Sequence, residues 1–299
     1  MPHETQAPAP GKRRPPLRPV WDLLSETYKR WRQDNAPTLG AALAFYTTFS
    51  MAPLLIIVIA IFGVILGKAT VQVEILRRAT ELIGAQGAGA VKMMIETAYR
   101  PGSGLPATII GILVILIGST SALVMLTHSL NLIWGAKPNP KAPIWNLVKE
   151  RLLSFVMILV IGLLLVLSLL LSIVLSFLTS FFQNLLPVPP FLIEVCDFVL
   201  SFLLITLLFA VVYKVLPDVE IAWSDVWVGS AITAILFTLG KFLFGMYLAR
   251  SSIRSAYGAA SSLAIILMWV YYSAQVFLIG AELTQVYANR YGSRVKPRA

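Results

Sequence analysis

The sequence predicts an all-α integral membrane protein: six transmembrane helices, both termini cytoplasmic, and an amphipathic helical segment between helices 1 and 2. Three observations carry that expectation. Hydrophobic residues make up 58% of the 299-residue chain and charged residues 13%, with a mean hydropathy of +0.80, outside the range of water-soluble domains. Several uncharged apolar runs exceed the ~18–20 residues that cross a hydrocarbon layer about 30 Å thick. Finally, 16 of the 24 Lys and Arg fall in the two tails and the loops on their side, which places both termini in the cytoplasm. A soluble enzyme is excluded.

The elements follow in order. Residues 1–20 mix six prolines with Lys12, Arg13, Arg14 and Arg18, too little apolar surface to order a fold, and read as a disordered basic tail. Residues 21–38 set Trp21, Leu24, Tyr28 and Trp31 at helical spacing among Lys29, Arg30 and Arg32, which predicts a helix in the membrane interface. The membrane domain occupies 39–287, with spans at 39–67, 105–134, 152–182, 195–216, 226–249 and 259–287. Between the first two, residues 68–104 are too charged to cross. Val73, Leu76, Ala79, Leu82 and Ile83 recur there at helical spacing until Gly84, Gly87 and Gly89, predicting one or two amphipathic helices on the outer face. The third span, broken only by Ser, Thr and Gly, reads as scaffold. Residues 288–299 form a basic cytoplasmic tail.

Polar groups inside spans cost a few kcal/mol each, so each is a site candidate. Lys241 lies about eight residues, or roughly 12 Å, from the outer end of the fifth span. With Arg250 and Arg254 it makes a candidate pocket for a phosphate-bearing headgroup; the alternative is snorkelling to the interface. Glu282, about 34 Å from the outer end of the sixth span, is too far to pair with Lys241. Nearer its depth are Tyr46, Asn131 and Tyr213, with Thr47, Thr48, Ser50 and His128, an inner polar patch or a hydrogen-bonded structural core. Pro53 removes a backbone donor and is a candidate helix kink. Glu194 and Asp197 suit a helix N-terminus. Gly229, Ser230 and Ala234 suit close helix packing.

Cys196 is the single cysteine and His3 and His128 the two histidines, too few for a disulfide, a thiolate cluster or a histidine metal site. No phosphate-cradling Gly-x-x-x-x-Gly-Lys-Ser/Thr run occurs, so no cofactor is implied. Anionic membrane lipids account for the basic charge without a nucleic-acid partner, and self-association is left open.

Ala42-Leu43-Ala44-Phe45-Tyr46 with Ser50 and Pro53 resembles the first-span signature of the YihY/BrkB membrane-protein family. Four further landmarks agree: Leu130-Asn131 with Trp134, Tyr213-Lys214-Val215-Leu216-Pro217-Asp218, Tyr257-Gly258, and Gly280-Ala281-Glu282-Leu283. Together they cover residues 21–292 in the family's order. The resemblance implies a six-helix bacterial inner-membrane protein, the family being named from a member linked to serum resistance and having no agreed activity. Its older label, ribonuclease BN, fits poorly with a chain that lacks a histidine-rich metal site. The expected function is a transporter or flippase of an amphipathic or anionic envelope molecule, not an enzyme. The alternatives are a non-transporting scaffold, or an ion or proton-coupled antiporter using Glu282.

Overall fold

A computed structural model describes residues 18–98, 121–136, 163, 190–250, 260–292 and 296–297. Helix α1 (Arg18–Gln33) keeps Thr27 buried while Trp21, Leu24 and Tyr28 stay exposed. Asp34 and Asn35 turn the chain, Asn35 at φ 51° and ψ 38°, a left-handed conformation that Asn tolerates better than most residues. Helix α2 (Ala36–Leu66) carries Pro37 in its first turn, where its missing N–H is one that a helix leaves unpaired. It continues through the buried Pro53 as a single helix.

Helix α3 (Lys68–Ala98) is interrupted at Gly84, whose φ of 71° and ψ of 174° divide it into two arms. The expected break is therefore at Gly84, and the helix resumes through Gly87 and Gly89. Its buried stripe is Val71, Ala79 and Ile83, with Ile75 and Leu82 partly covered. Val73, expected on that stripe, is exposed: in a helix it lies about 200° from Val71, and it is Val71 that faces the bundle.

Helix α4 (Ser121–Ile133) is apolar, and helices α5 (Pro190–Val215) and α6 (Trp223–Arg250) flank a tight turn that includes strand β1 (Val219–Glu220). Helix α7 (Ser261–Arg290) precedes strand β2 (Lys296–Pro297), which pairs antiparallel with β1, Val219 opposite Pro297. The basic tail is thus partly fastened to the α5–α6 turn.

Among the described residues, four helices are long and apolar enough to cross a membrane: α2, the Phe198–Val215 part of α5, the Trp223–Leu248 part of α6, and α7. The span expected at 105–134 is described only from residue 121. That at 152–182 lies outside the described residues apart from Leu163, as do residues 1–17 and Arg254. Helix α7 is the hub, packed against α1, α2, α3 and α6. Its residues 280–286 are buried without interruption, and the core around it includes Ile59, Leu130, Ile133, Leu216 and Leu278. By contrast Phe198, Leu203, Leu239, Phe242 and Leu243 lie exposed on α5 and α6. Large apolar side chains exposed in this way are stable against hydrocarbon and costly in water.

Candidate functional site

Two features stand out, a polar junction at the α1 end of the bundle and an apolar cavity along α3.

The junction centres on Glu282, which has no exposed surface. Asp34 in the α1–α2 turn and Arg30 on α1 are its charged neighbours. Neither carboxylate oxygen of Glu282 has a hydrogen-bond partner among the described residues. Arg30 instead donates from Nη1 to Gln285 Oε1 at 2.8 Å, and its Nη2 lies 3.5 Å from Glu26 Oε1. Gln285 Nε2 in turn donates to the Ile133 carbonyl at 2.6 Å, so one amide joins α1, α4 and α7. Arg290 adds weaker contacts to Asp22 and Glu26 at 3.6 and 3.9 Å.

Asn131 and Asp218 bond reciprocally: Asn131 Nδ2 donates to Asp218 Oδ2 at 2.9 Å, and the Asp218 N–H to Asn131 Oδ1 at 2.8 Å. This fixes α4 to the α5–α6 turn. Tyr213, fully buried, donates to the Phe277 carbonyl at 2.7 Å and lies 3.1 Å from Thr233 Oγ1. Thr233 donates to Gly229 O at 2.7 Å. Lys214 Nζ donates to the Ile221 carbonyl and stands 6.0 Å from the Trp223 ring centroid. Glu282, Asn131 and Tyr213 are therefore all packed into the bundle, each with different neighbours. Tyr46 is not among them: it is exposed, edge-on to Phe45 at 5.7 Å, in an aromatic strip with Phe49.

The cavity, about 280 Å³, lies between α2, α3 and α7. That far exceeds the ~10–15 Å³ in which one water fits. Its walls include Leu54, Val58 and Phe62 of α2, Ile75 and Ala79 of α3, and Trp269 of α7. Glu74 and Arg78 are its charged lining. Glu74 accepts bonds from Arg77 at 2.5 and 2.8 Å and from Arg78 at 2.9 Å, and both arginines also reach Glu81. Burial pushes the Glu74 carboxyl up, but the two guanidiniums prevail and hold it below its ordinary value.

Lys241 and Arg250 are both exposed on α6, nine residues and so about two and a half turns apart, which sets them on opposite faces. Sequence reading missed Asp34, Gln285, Thr233 and the Glu74–Arg78 rim, and it named Asp218 as a landmark without its bond to Asn131. Gln285 was findable, being three residues beyond Glu282 and on the same helix face. Asp34 was not, because its position depends on the turn at Asn35.

Four bilayer-length helices, an apolar exterior and a buried polar junction define a multi-pass helical membrane protein. A family model described as Virulence factor BrkB matches residues 27–299, and the chain belongs to that family. The resemblance read from the motif residues is thereby confirmed. Among similar proteins, a UPF0761 membrane protein of Mannheimia succiniciproducens is 25% identical over 265 residues, covering 88% of either chain. One of Coxiella burnetii is 27% identical over 266 residues, 89% of this chain and 92% of its own. One of Alkalilimnicola ehrlichii is 26% identical over 278 residues, 91% of this chain but 60% of that longer protein. No solved structure matches.

Proposed function

We propose that this protein moves an amphipathic, anionic-headed envelope molecule across the bacterial inner membrane, as a transporter or flippase and without catalysis. The observation that carries this reading is the cavity between α2, α3 and α7. It offers apolar walls for an acyl chain and, at Glu74 and Arg78, a charged rim for a head. Lys241 and Arg250, exposed on α6, supply positive charge that supports attraction of anionic headgroups.

The test is leaflet exchange of a headgroup-labelled anionic phospholipid in vesicles carrying the purified protein. Ala79→Leu fills the cavity and slows exchange severalfold while the protein stays monodisperse; Lys241→Met weakens capture of the anionic lipid more than of a zwitterionic one. Exchange no faster than in protein-free vesicles defeats transport, and an unaffected Ala79→Leu variant defeats the cavity assignment.

A scaffold is the second reading, favoured by the exposed Trp21, Leu24 and Tyr28 face of α1. Replacing Trp21, Leu24 and Tyr28 together with Ala then abolishes function, whereas Ala79→Leu leaves it intact.

A further inference from the structure

We infer that Glu282 and Asp34 form a carboxyl pair that binds and releases one proton, the coupling ion of the movement proposed above. The role of the proton rests on that reading; the pair itself does not.

The first ground is the isolation of Glu282. It is wholly buried, and both its oxygens lack hydrogen-bond partners among the described residues. An ionised carboxylate so placed finds no donor among the described residues, a cost that native proteins avoid by pairing or by protonation.

The second is the charge around it. Arg30 and Asp34 are the charged groups that face it, both from the α1 side. Two carboxylates and one guanidinium leave one negative charge, and Arg30 aims its donors at Gln285 and Glu26 instead. One added proton removes that excess and supplies the missing donor. A multivalent metal is less well served, since among the described residues no three His, Cys, Asp or Glu side chains converge.

The third is access. Asp34 is only partly buried and Asn35 beside it is exposed, so the turn connects Glu282 to the surface at the α1 end. In the chemistry, one carboxylate takes a proton from water, becoming a carboxylic acid whose O–H is shared with its neighbour. Release returns the proton to water at the same end. No other bond changes. Because Arg30 and Gln285 seat α1 on α7 beside the pair, its charge state bears directly on how firmly α1 closes that end of the bundle.

The experiment is infrared titration of the full-length protein in lipid, following the protonated-carboxyl band across pH, alongside lipid exchange with and without an imposed pH gradient. The expected result is one titrating step that disappears in Glu282→Gln, moves in Asp34→Asn, and persists in Glu282→Asp. Lipid exchange by the wild type responds to the gradient, and that response is lost in Glu282→Gln. If Glu282→Gln fails to fold, the shift in Asp34→Asn, a change in a partly exposed turn, decides. A titration identical in wild type and Asp34→Asn overturns the pair. So does the absence of any such step together with a sodium-dependent rise in Tm, which assigns a metal cation instead. A pair-dependent step in a protein that exchanges no lipid sustains the proton site and defeats the transport reading.

Discussion

The Tyr213 hydroxyl lies 2.4 Å from the point where a Cβ on residue 280 would stand, so Gly280 is the space that lets Tyr213 reach across to α7. The same absent Cβ would meet Thr233 Oγ1 at 1.9 Å, and one at Gly229 would meet Thr284 Oγ1 at 1.7 Å. Polar side chains thus fill the seam between α6 and α7 where lipid tails give no hydrophobic drive to associate. Gly280→Ala forces these groups apart and is expected to cost about 1–3 kcal/mol. Tyr213→Phe leaves the clearance and removes the bond to Phe277 O together with the 3.1 Å contact to Thr233 Oγ1, for about 1 kcal/mol. Thermal unfolding in detergent ranks the two; equal losses would refute the steric account.

The Asn131–Asp218 pair is reciprocal, which makes it testable by exchange. Asn131→Asp alone sets two carboxylates where 2.9 Å now separates amide from carboxylate and is destabilising. Adding Asp218→Asn restores a donor to each acceptor, because the Asp218 backbone N–H still meets the new carboxylate. A double-mutant cycle should return a coupling of about 0.5–3 kcal/mol. Additive losses would mean that the two residues act separately.

The long elements were legible because bilayer thickness imposes a length signal that does not depend on tertiary packing. The ends of α2, α6 and α7 fall within a few residues of expectation, and the break at Gly84 follows from glycine itself. Helical phase was less secure. Around Val71, Val73 and Ile75 the apolar residues are dense enough to support two stripes, and the choice was made by the wall that α2 presents. The site was half legible. Glu282 stood out as a carboxylate inside a span, but its partner Asp34 depends on one left-handed residue, and the strand pair of Val219–Glu220 with Lys296–Pro297 is too short for any periodic signal. Lys241 and Arg250 were adjacent in composition and are separated by helical phase.

The rim of the cavity should respond to acid. The Arg77 and Arg78 donors hold Glu74 below its ordinary 4.5, so its contribution is full above that pH and lost as pH falls through its folded value. Hydrogen exchange over 68–84 is expected to accelerate on acidification below about 4.5. Glu74→Gln should blunt that step, and added salt should weaken the network in the wild type, since Arg77 and Glu81 are exposed. An acid step unchanged by Glu74→Gln would place its origin elsewhere.

Two glycines of α3 should answer oppositely to the same substitution. Gly84 sits at φ 71° and ψ 174°, where an alanine is strained even though its Cβ would meet only Leu248 Cδ1 at 3.6 Å. Gly84→Ala therefore costs about 1–3 kcal/mol or straightens α3, because the penalty is in the backbone and no neighbour can relieve it by moving. Gly89 lies within continuing helix, and a Cβ there meets nothing within 4 Å. Gly89→Ala therefore lowers only the entropy of the unfolded chain and gains about 0.5–1 kcal/mol. Tm values for the two variants, measured in the same detergent, should fall on either side of the wild type. If both rise, the two arms of α3 are not held at an angle by Gly84, and the cavity wall that depends on that bend is not built as described.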